Sequence, residues 1–173
     1  MARPAPHPPA RRLDPERLGD HVDRLFAAAW ALCGDREEAE DLVQETFARV
    51  LARPRWLRRE DDVGYLLRAL RNTYVSRLRA RDRRPATASL EVAPEVADPR
   101  AAAQPLEAIE TGELFRAIAR LTPPFRDAIV AIDVAGLSYR EAARALRVKE
   151  ATMTTRLHRA RRQVVAALEG GPR

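Results

Sequence analysis

Cysteine is nearly absent from this chain of 173 residues, which contains Cys33 alone. A single cysteine excludes an internal disulfide framework and a zinc site built from cysteine thiolates. Long apolar runs are also missing: the longest, residues 25–33, is too short to cross a bilayer, which requires about 20 residues. Residues 1–12 lack the apolar segment of a signal peptide. We therefore expect a protein of the reducing cytoplasm.

Glycine is scarce, and no segment alternates apolar and polar side chains as a half-buried strand would. Apolar residues instead recur at helical spacing through residues 14–84 and again through residues 107–168. Between them, residues 85–106 contain four prolines and little periodicity, which is typical of a flexible linker. We predict an all-α fold of two small helical domains joined by this linker. A disordered tail is expected at residues 1–13 and a short tail at residues 169–173.

Local signals mark several helix boundaries. Asp35 is a predicted N-cap, with Glu38 three residues later to close a capping box. Ser138 and Glu141 repeat this pattern, and residues 147–149 form a short turn before an arginine-rich helix. A capped helix, a tight turn and a basic second helix are typical of a helix-turn-helix domain.

Lysine is almost absent as well. The chain has 31 basic residues, of which only Lys149 is not arginine, and a formal net charge of +6. Arginine binds phosphates and guanine edges through its planar fork of donors, although a GC-rich genome produces the same bias. The composition is therefore a weak indication of nucleic-acid binding.

Charge is concentrated in three blocks. Residues 36–45 contain five acidic residues and one arginine, whereas residues 76–84 contain five arginines and one aspartate. Residues 147–162 contain six basic residues and one glutamate. The two basic blocks favour two separate contacts with a polyanion, and the acidic block favours a protein surface of opposite charge.

The acidic block has two interpretations. Glu37, Asp41 and Glu45 share a helix face and could hold a metal ion, but no histidine and no second acidic helix completes such a site. Acidic residues are also ordinary in the first turn of a helix. A docking surface for a protein partner is better supported, because apolar and amide anchors lie beside the carboxylates, namely Leu42, Gln44 and Phe47.

The block at residues 76–84 could simply complement a helix macrodipole. Five arginines exceed that need, so phosphate contact is favoured. Trp56, beside Arg58 and Arg59, suits stacking on unpaired bases. Coverage of the edge of the core by Trp56 is equally supported.

The final arginine-rich helix could be a solvated surface helix. However, Arg156, Arg159 and Arg162 share one broad face, and Thr152 and Thr155 lie near it at the helix N-terminus. In a helix-turn-helix, this part of the second helix meets base edges and phosphates. DNA binding is therefore favoured.

Several strings, in this order and spacing, resemble bacterial RNA polymerase sigma factors of the extracytoplasmic-function (ECF) class of the sigma-70 family. Residues 35–47, with E-D-L-V-Q-E-T-F, resemble the helix that binds core polymerase. Residues 64–72 and the arginine run after them resemble the part that handles the minus-ten promoter element. Residues 121–126, 136–143 and 152–161, the last with T-R-L-H-R-A-R, resemble the reader of the minus-thirty-five element.

The resemblance implies a role for each matching position. Core polymerase would be bound by Asp41, Leu42, Gln44, Glu45 and Phe47. The minus-ten element would be bound by Trp56, Arg58, Arg59, Asn72, Arg77, Arg79 and Arg81. The minus-thirty-five element would be bound by Thr152, Thr154, Thr155, Arg156 and Arg159. A base-contacting lysine of the family is replaced by Thr154, and Tyr65 and Ser76 also depart from the family pattern, which implies a distinct promoter motif.

The function that the resemblance implies is that of a promoter-specificity subunit, which binds core RNA polymerase, recognises promoter DNA and opens it. It performs no covalent chemistry and needs no cofactor or metal. Its expected partners are core polymerase, promoter DNA and an anti-sigma factor, in the cytoplasm and at the nucleoid. The main alternative is a stand-alone helix-turn-helix regulator that binds a palindrome as a dimer. A small nuclease using the carboxylates of residues 37–45 is poorly supported.

Overall fold

The computed structural model describes residues 11–12, 15–53, 56–57, 62–83 and 106–170. Within these ranges the chain is almost entirely helical, as predicted. A 3-10 helix, Pro15–His21, is followed by α1 Val22–Cys33, α2 Arg36–Ala52, α3 Asp62–Asp82, α4 Leu106–Ala119, α5 Pro123–Ile129, α6 Tyr139–Leu146 and α7 Glu150–Glu169.

Helices α1, α2 and α3 form the N-terminal unit. Helix α1 ends because Gly34 adopts a left-handed φ of 78°, and the Gly34 N–H donates to the Trp30 carbonyl oxygen at 2.7 Å. Asp35 then caps α2, its carboxylate accepting a hydrogen bond from the Glu38 N–H at 2.8 Å. The Glu38 carboxylate, predicted to close a capping box, instead accepts a hydrogen bond from Arg81 at 2.6 Å. The cap is therefore one-sided, because a partner on α3 takes the Glu38 side chain.

Helices α4 to α7 form the C-terminal unit. Helix α5 continues through a π-helical turn, Val130–Val134, in which the Ala135 N–H donates to the Val130 carbonyl oxygen at 2.8 Å. The capping box predicted at the start of α6 is confirmed, with both of its reciprocal hydrogen bonds present between Ser138 and Glu141. These hydrogen bonds satisfy two of the N–H groups that a helix start leaves open.

Arg147 makes the turn between α6 and α7. Its φ of 56° lies in the left-handed region, and it stands alone among the described non-glycine residues in that respect. Helix α7 then presents one buried face to the unit, formed by Met153, Leu157, Ala160 and Val164. The predicted helix, tight turn and helix are therefore all present.

The two units share one hydrophobic core. The Trp30 ring packs edge-on against Phe115 of α4, with ring centroids 5.1 Å apart. A Cβ added at Gly34 would lie 2.9 Å from the Ala119 Cβ, so the glycine also permits the close approach of α4. Arg71 of α3 donates to the Asp127 carboxylate of α5 at 2.6 Å. Units of this size have marginal cores alone, so burial between them adds stability.

A two-residue antiparallel pairing joins the chain before the 3-10 helix to the segment between α2 and α3. Arg11 lies opposite Leu57, and Arg12 lies opposite Trp56. The sequence indicated no strand, and it assigned residues 11 and 12 to the disordered tail. A pairing of this length carries no periodic pattern that a sequence could display.

The α6 cap generates a stability prediction. Ser138→Ala removes a cap acceptor and a donor to the Glu141 carboxylate, and should lower the free energy of unfolding by about 1 kcal/mol at neutral pH. The hydrogen bonds from the Ser138 side chain and backbone lower the pKa of Glu141. That contribution is present above the ordinary glutamate pKa and lost as the pH falls through the lowered value.

Urea unfolding followed by circular dichroism, repeated from neutral pH down to about pH 3.5, measures both effects. The gap between Ser138→Ala and the parent chain should narrow as the pH falls. Ser76→Ala, at an exposed position within α3, is the matched control. An equal loss in the control, or a gap that widens in acid, would contradict the assignment.

Candidate nucleic-acid interface

The acidic face of α2 is open to solvent along one side. Glu37, Glu40, Asp41 and Gln44 are exposed, and Phe47 is half-buried beside them. Leu42, expected to take part in docking, is fully buried and belongs to the core. It can support the docking face from within the unit, but it offers no surface to a partner in this arrangement.

Part of the acidic block is already paired with the first basic block. Arg77 donates to the Glu45 carboxylate and, at 2.9 Å, to the Asp41 carbonyl oxygen. Arg81 donates to Glu38 at 2.6 Å. Arg79, by contrast, is exposed and has no side-chain partner among the described residues. Of the three arginines expected to hold phosphates, Arg77 and Arg81 therefore join α3 to α2. Among these three, Arg79 is the one whose guanidinium group has no partner in the described ranges.

Asn72 lies exposed on α3, in a groove of about 440 Å³. Three arginines that the sequence analysis did not single out also line this groove, namely Arg49, Arg53 and Arg68. Arg49 and Arg53 are four residues apart at the end of α2, and Arg68 and Asn72 are four residues apart on α3. This spacing places each pair on one helix face, and it was the sequence signal that could have indicated the groove. Arg58 and Arg59 lie outside the described residues, and Trp56 is described in its backbone alone.

The candidate DNA-reading face of α7 is solvent-facing at its N-terminal half. The Thr154 and Thr155 hydroxyls are exposed and donate to backbone carbonyl oxygens one turn earlier, at 3.2 and 3.1 Å. Thr152 and Arg156 are half-buried, whereas Arg159 is exposed. Neither arginine has a carboxylate partner in the described part of the chain, so both guanidinium groups are available to an anion.

Arg161 differs from its neighbours on α7. Its guanidinium donates twice to the Asp133 carboxylate, at 2.8 and 2.6 Å, in a bidentate pair. This pair fixes α7 against the π-helical turn. The sequence analysis predicted neither the π-helical turn nor the pairing of its Asp133 with Arg161.

Family models cover both units. The model described as "Sigma-70 region 2" matches residues 18–84, and the model described as "Sigma-70, region 4" matches residues 111–164. The chain is 31% identical over 149 residues to "ECF RNA polymerase sigma factor EcfG" of Rhodopseudomonas palustris, covering 85% of this chain and 80% of that protein. The chain belongs to the ECF class of the sigma-70 family. The N-terminal unit is thus region 2 and the C-terminal unit is region 4.

Two further relatives agree with this membership. The sigma factor is 34% identical over 155 residues to "ECF RNA polymerase sigma factor SigE" of Mycolicibacterium smegmatis, covering 86% of this chain but 59% of that protein. It is also similar to the sigma factor RpoE of Bartonella quintana, solved in complex with the anti-sigma factor NepR. That similarity has a TM-score of 0.68 and 25% identity, over 89% of this chain and 97% of the other.

Membership of this family argues against the nuclease alternative, since sigma factors are not enzymes. Among the described residues, no cluster of histidine, cysteine, aspartate and glutamate could hold a metal ion. In the same part of the chain, no helix is both long and apolar enough to span a membrane.

Cys33, at the end of α1, is half-buried and unpaired. Burial, with the negative charge of Glu38 nearby, raises the pKa of its thiol to about 12. The thiolate is the reactive form of cysteine, so the raised pKa leaves very little of Cys33 in that form at neutral pH.

The Arg77 contacts predict a stability effect separable from any effect on DNA binding. Arg77→Gln should lower the free energy of unfolding by about 1 kcal/mol, because Glu45 and the Asp41 carbonyl both lose a charged donor. Arg79→Gln, the matched control, removes the same charge two residues further along α3 and should change the free energy of unfolding by less than about 0.5 kcal/mol. Urea unfolding of the two variants tests this, and equal losses would show that Arg77 does not tie α3 to α2.

The raised pKa of Cys33 predicts slow alkylation. At about pH 8, iodoacetamide should modify the folded sigma factor at least about a hundredfold more slowly than the guanidinium-unfolded chain, because little thiolate is present in the fold. Mass spectrometry of quenched samples gives both rates. Comparable rates in the two states would contradict burial as the controlling factor.

Proposed function

We propose that this sigma factor is a dissociable promoter-specificity subunit, which binds core RNA polymerase through α2 and promoter DNA through both regions. The observation that carries the proposal is the separation of opposite charges on its exposed faces. Exposed carboxylates line α2, while α7 and Arg79 present guanidinium groups that have no carboxylate partner within the described ranges. One face suits a basic protein surface, and the others suit a polyanion.

In region 2, we assign polymerase docking to the exposed members of the α2 set, Asp41 and Gln44, with Phe47 at their edge. Asn72 and Arg79 would meet the unpaired minus-ten strand, together with Trp56, Arg58 and Arg59. A base must leave its stack to be read in this way, so the binding energy shifts the DNA towards the open state.

In region 4, we assign the minus-thirty-five element to Thr152, Thr154, Thr155, Arg156 and Arg159. The Thr154 and Thr155 hydroxyls can exchange their bonds to the helix backbone for bonds to base edges at little cost, because both are exposed. Arg159 would contact a phosphate or a guanine.

Binding both elements requires regions 2 and 4 to separate. The positions that name the two elements, minus thirty-five and minus ten, are about 25 base pairs apart. This is roughly 85 Å of duplex at about 3.4 Å per base pair. The chain between Asp82 and Leu106 can reach at most about 80 Å, at about 3.3 Å per residue, and the regions themselves add to this span. Regions 2 and 4 would therefore separate when both elements are bound, and the core that they share would be divided.

We further propose an anti-sigma factor as a partner, since the Bartonella relative was solved with one. A protein that stabilises the packed arrangement of regions 2 and 4 would oppose promoter binding. We place the sigma factor in the cytoplasm, at the nucleoid, because its polymerase and DNA partners are there.

Transcription with purified core polymerase and a genomic fragment library tests the proposal. Starts should share two upstream motifs at constant spacing, and Asp41→Ala or Arg159→Ala should reduce specific transcripts about tenfold or more. Asp23→Ala and Arg24→Ala, at exposed positions on α1, are the matched controls. Absence of specific starts, together with tight binding of the chain alone to a palindrome, would favour the stand-alone regulator.

A further inference from the structure

Two arginines of α3 are held by two carboxylates of α2 in the free chain. Glu45 accepts a hydrogen bond from Arg77, and Glu38 accepts one from Arg81 at 2.6 Å. The pairs run in opposite order along the two helices, so they fasten α3 to α2 at two levels. Both arginines belong to the basic block at residues 76–84. The chain therefore neutralises within itself part of the charge that a polyanion would use.

The pairing selects certain carboxylates and certain arginines. Glu38 and Glu45 are half-buried against α3, whereas Glu37 and Glu40 are exposed and hold no arginine of α3 in the described ranges. On α3, Arg79 lies between the two paired arginines, and its exposed side chain has no partner in that part of the chain. Each helix thus carries paired and unpaired groups of the same charge, which allows the pairs to be tested against matched neighbours.

These ion pairs are suited to exchange. The Arg81 and Glu38 side chains are 59% and 39% exposed, and ion pairs so open to solvent contribute little free energy and are screened by salt. Arg77 is 28% exposed and also donates to the Asp41 carbonyl oxygen at 2.9 Å. Arg81 is therefore the more easily released of the two arginines. A cation of a protein partner can take Glu38 while a phosphate takes Arg81, which replaces one internal pair by two pairs with partners.

We propose that Glu38, Glu45, Arg77 and Arg81 form an autoinhibitory clasp, which withholds two arginines from DNA until a basic protein surface binds the α2 carboxylates. This inference rests on the proposed docking of core polymerase on α2 and adds a regulatory consequence to it. Without polymerase, the chain binds DNA with the clasp closed and two phosphate contacts unmade. Because linkage between binding sites is reciprocal, DNA on α3 favours polymerase on α2 by the same factor.

Removal of the clasp carboxylates tests whether they mask the arginines. Fluorescence anisotropy of the full-length chain with a labelled random-sequence duplex, without polymerase, gives the affinity. The double variant Glu38→Gln, Glu45→Gln should bind about fivefold or more tightly, with a slope of log affinity against log salt steeper by up to about 1.8. The matched control is Glu37→Gln, Glu40→Gln, which removes two carboxylates of α2 outside the clasp. It should change the affinity by less than about twofold and leave the slope unaltered.

Equal behaviour of the two double variants would overturn the clasp, and so would an unaltered salt slope in the first of them. Thermal unfolding checks that each variant is folded. If the clasp double variant unfolds, Glu38→Gln alone keeps the test valid, because Glu38 holds the more exposed arginine. That single variant should give about half of the change in slope.

The arginines test release. Without polymerase, Arg79→Gln should reduce the salt slope of duplex binding by about 0.9, because its guanidinium group is open to a phosphate. Arg81→Gln should change binding no more than Arg24→Gln does, which removes the same charge from an exposed position on α1. In the complex with core polymerase, on a labelled promoter duplex, Arg81→Gln should weaken binding as much as Arg79→Gln. Equal losses in the free chain, or no loss from Arg81→Gln in the complex, would overturn the proposal.

Failure of the clasp and failure of the proposed function give different results. If core polymerase does not bind the chain, the proposed function and the release step fail together, and masking is decided by the free-chain double variants. If the complex initiates transcription at specific starts while Arg81→Gln and Arg79→Gln behave alike with and without polymerase, the proposed function stands and the clasp is wrong.

Discussion

The close packing around α1 is the constraint on which the rest of the structure depends. Ala28, Ala29 and Ala31 have no exposed surface, and Leu25 and Leu32 are almost fully buried beside them. Small side chains let neighbouring backbones approach from several directions, and interiors tolerate little added volume. Helix α1 can therefore contact α2 and α3 of its own region and α4 and the π-helical turn of region 4. One helix thus packs against both regions and joins their buried side chains into a single core, to which each region alone contributes a small part.

Charge pairing gives a second coupling, between surfaces that the proposed function uses for different partners. Arg77 contacts both Glu45 and the Asp41 backbone, so a change at the proposed α2 docking face would reach α3 through this guanidinium group. If polymerase binding drew Glu45 away, Arg77 would be released towards a phosphate. Such linkage is reciprocal, so DNA on α3 would favour the same rearrangement of α2.

The parts of the fold that could be predicted are those set by neighbours along the chain. The Ser138 cap and the turn before α7 depend on residues within four positions of each other, and both were foreseen. The contacts that escaped prediction join residues far apart in sequence: Arg81 with Glu38, Trp30 with Phe115, and Arg71 with Asp127. Their partners depend on how helices pack, which periodicity does not specify. The groove around Asn72 could not be predicted for the same reason, because its lining comes from separate helices.

The conformation of Arg147 links the turn of region 4 to the groove of region 2. A non-glycine residue at φ 56° carries strain of about 1 kcal/mol or more, which glycine would avoid at the same position. The turn needs a left-handed residue, yet the chain uses arginine there, and the side chain lines the groove beside Asn72. A glycine would relax the backbone but remove a guanidinium group from the groove. One residue therefore belongs both to the turn of the helix-turn-helix and to the lining of the groove, so a substitution at Arg147 changes the two together.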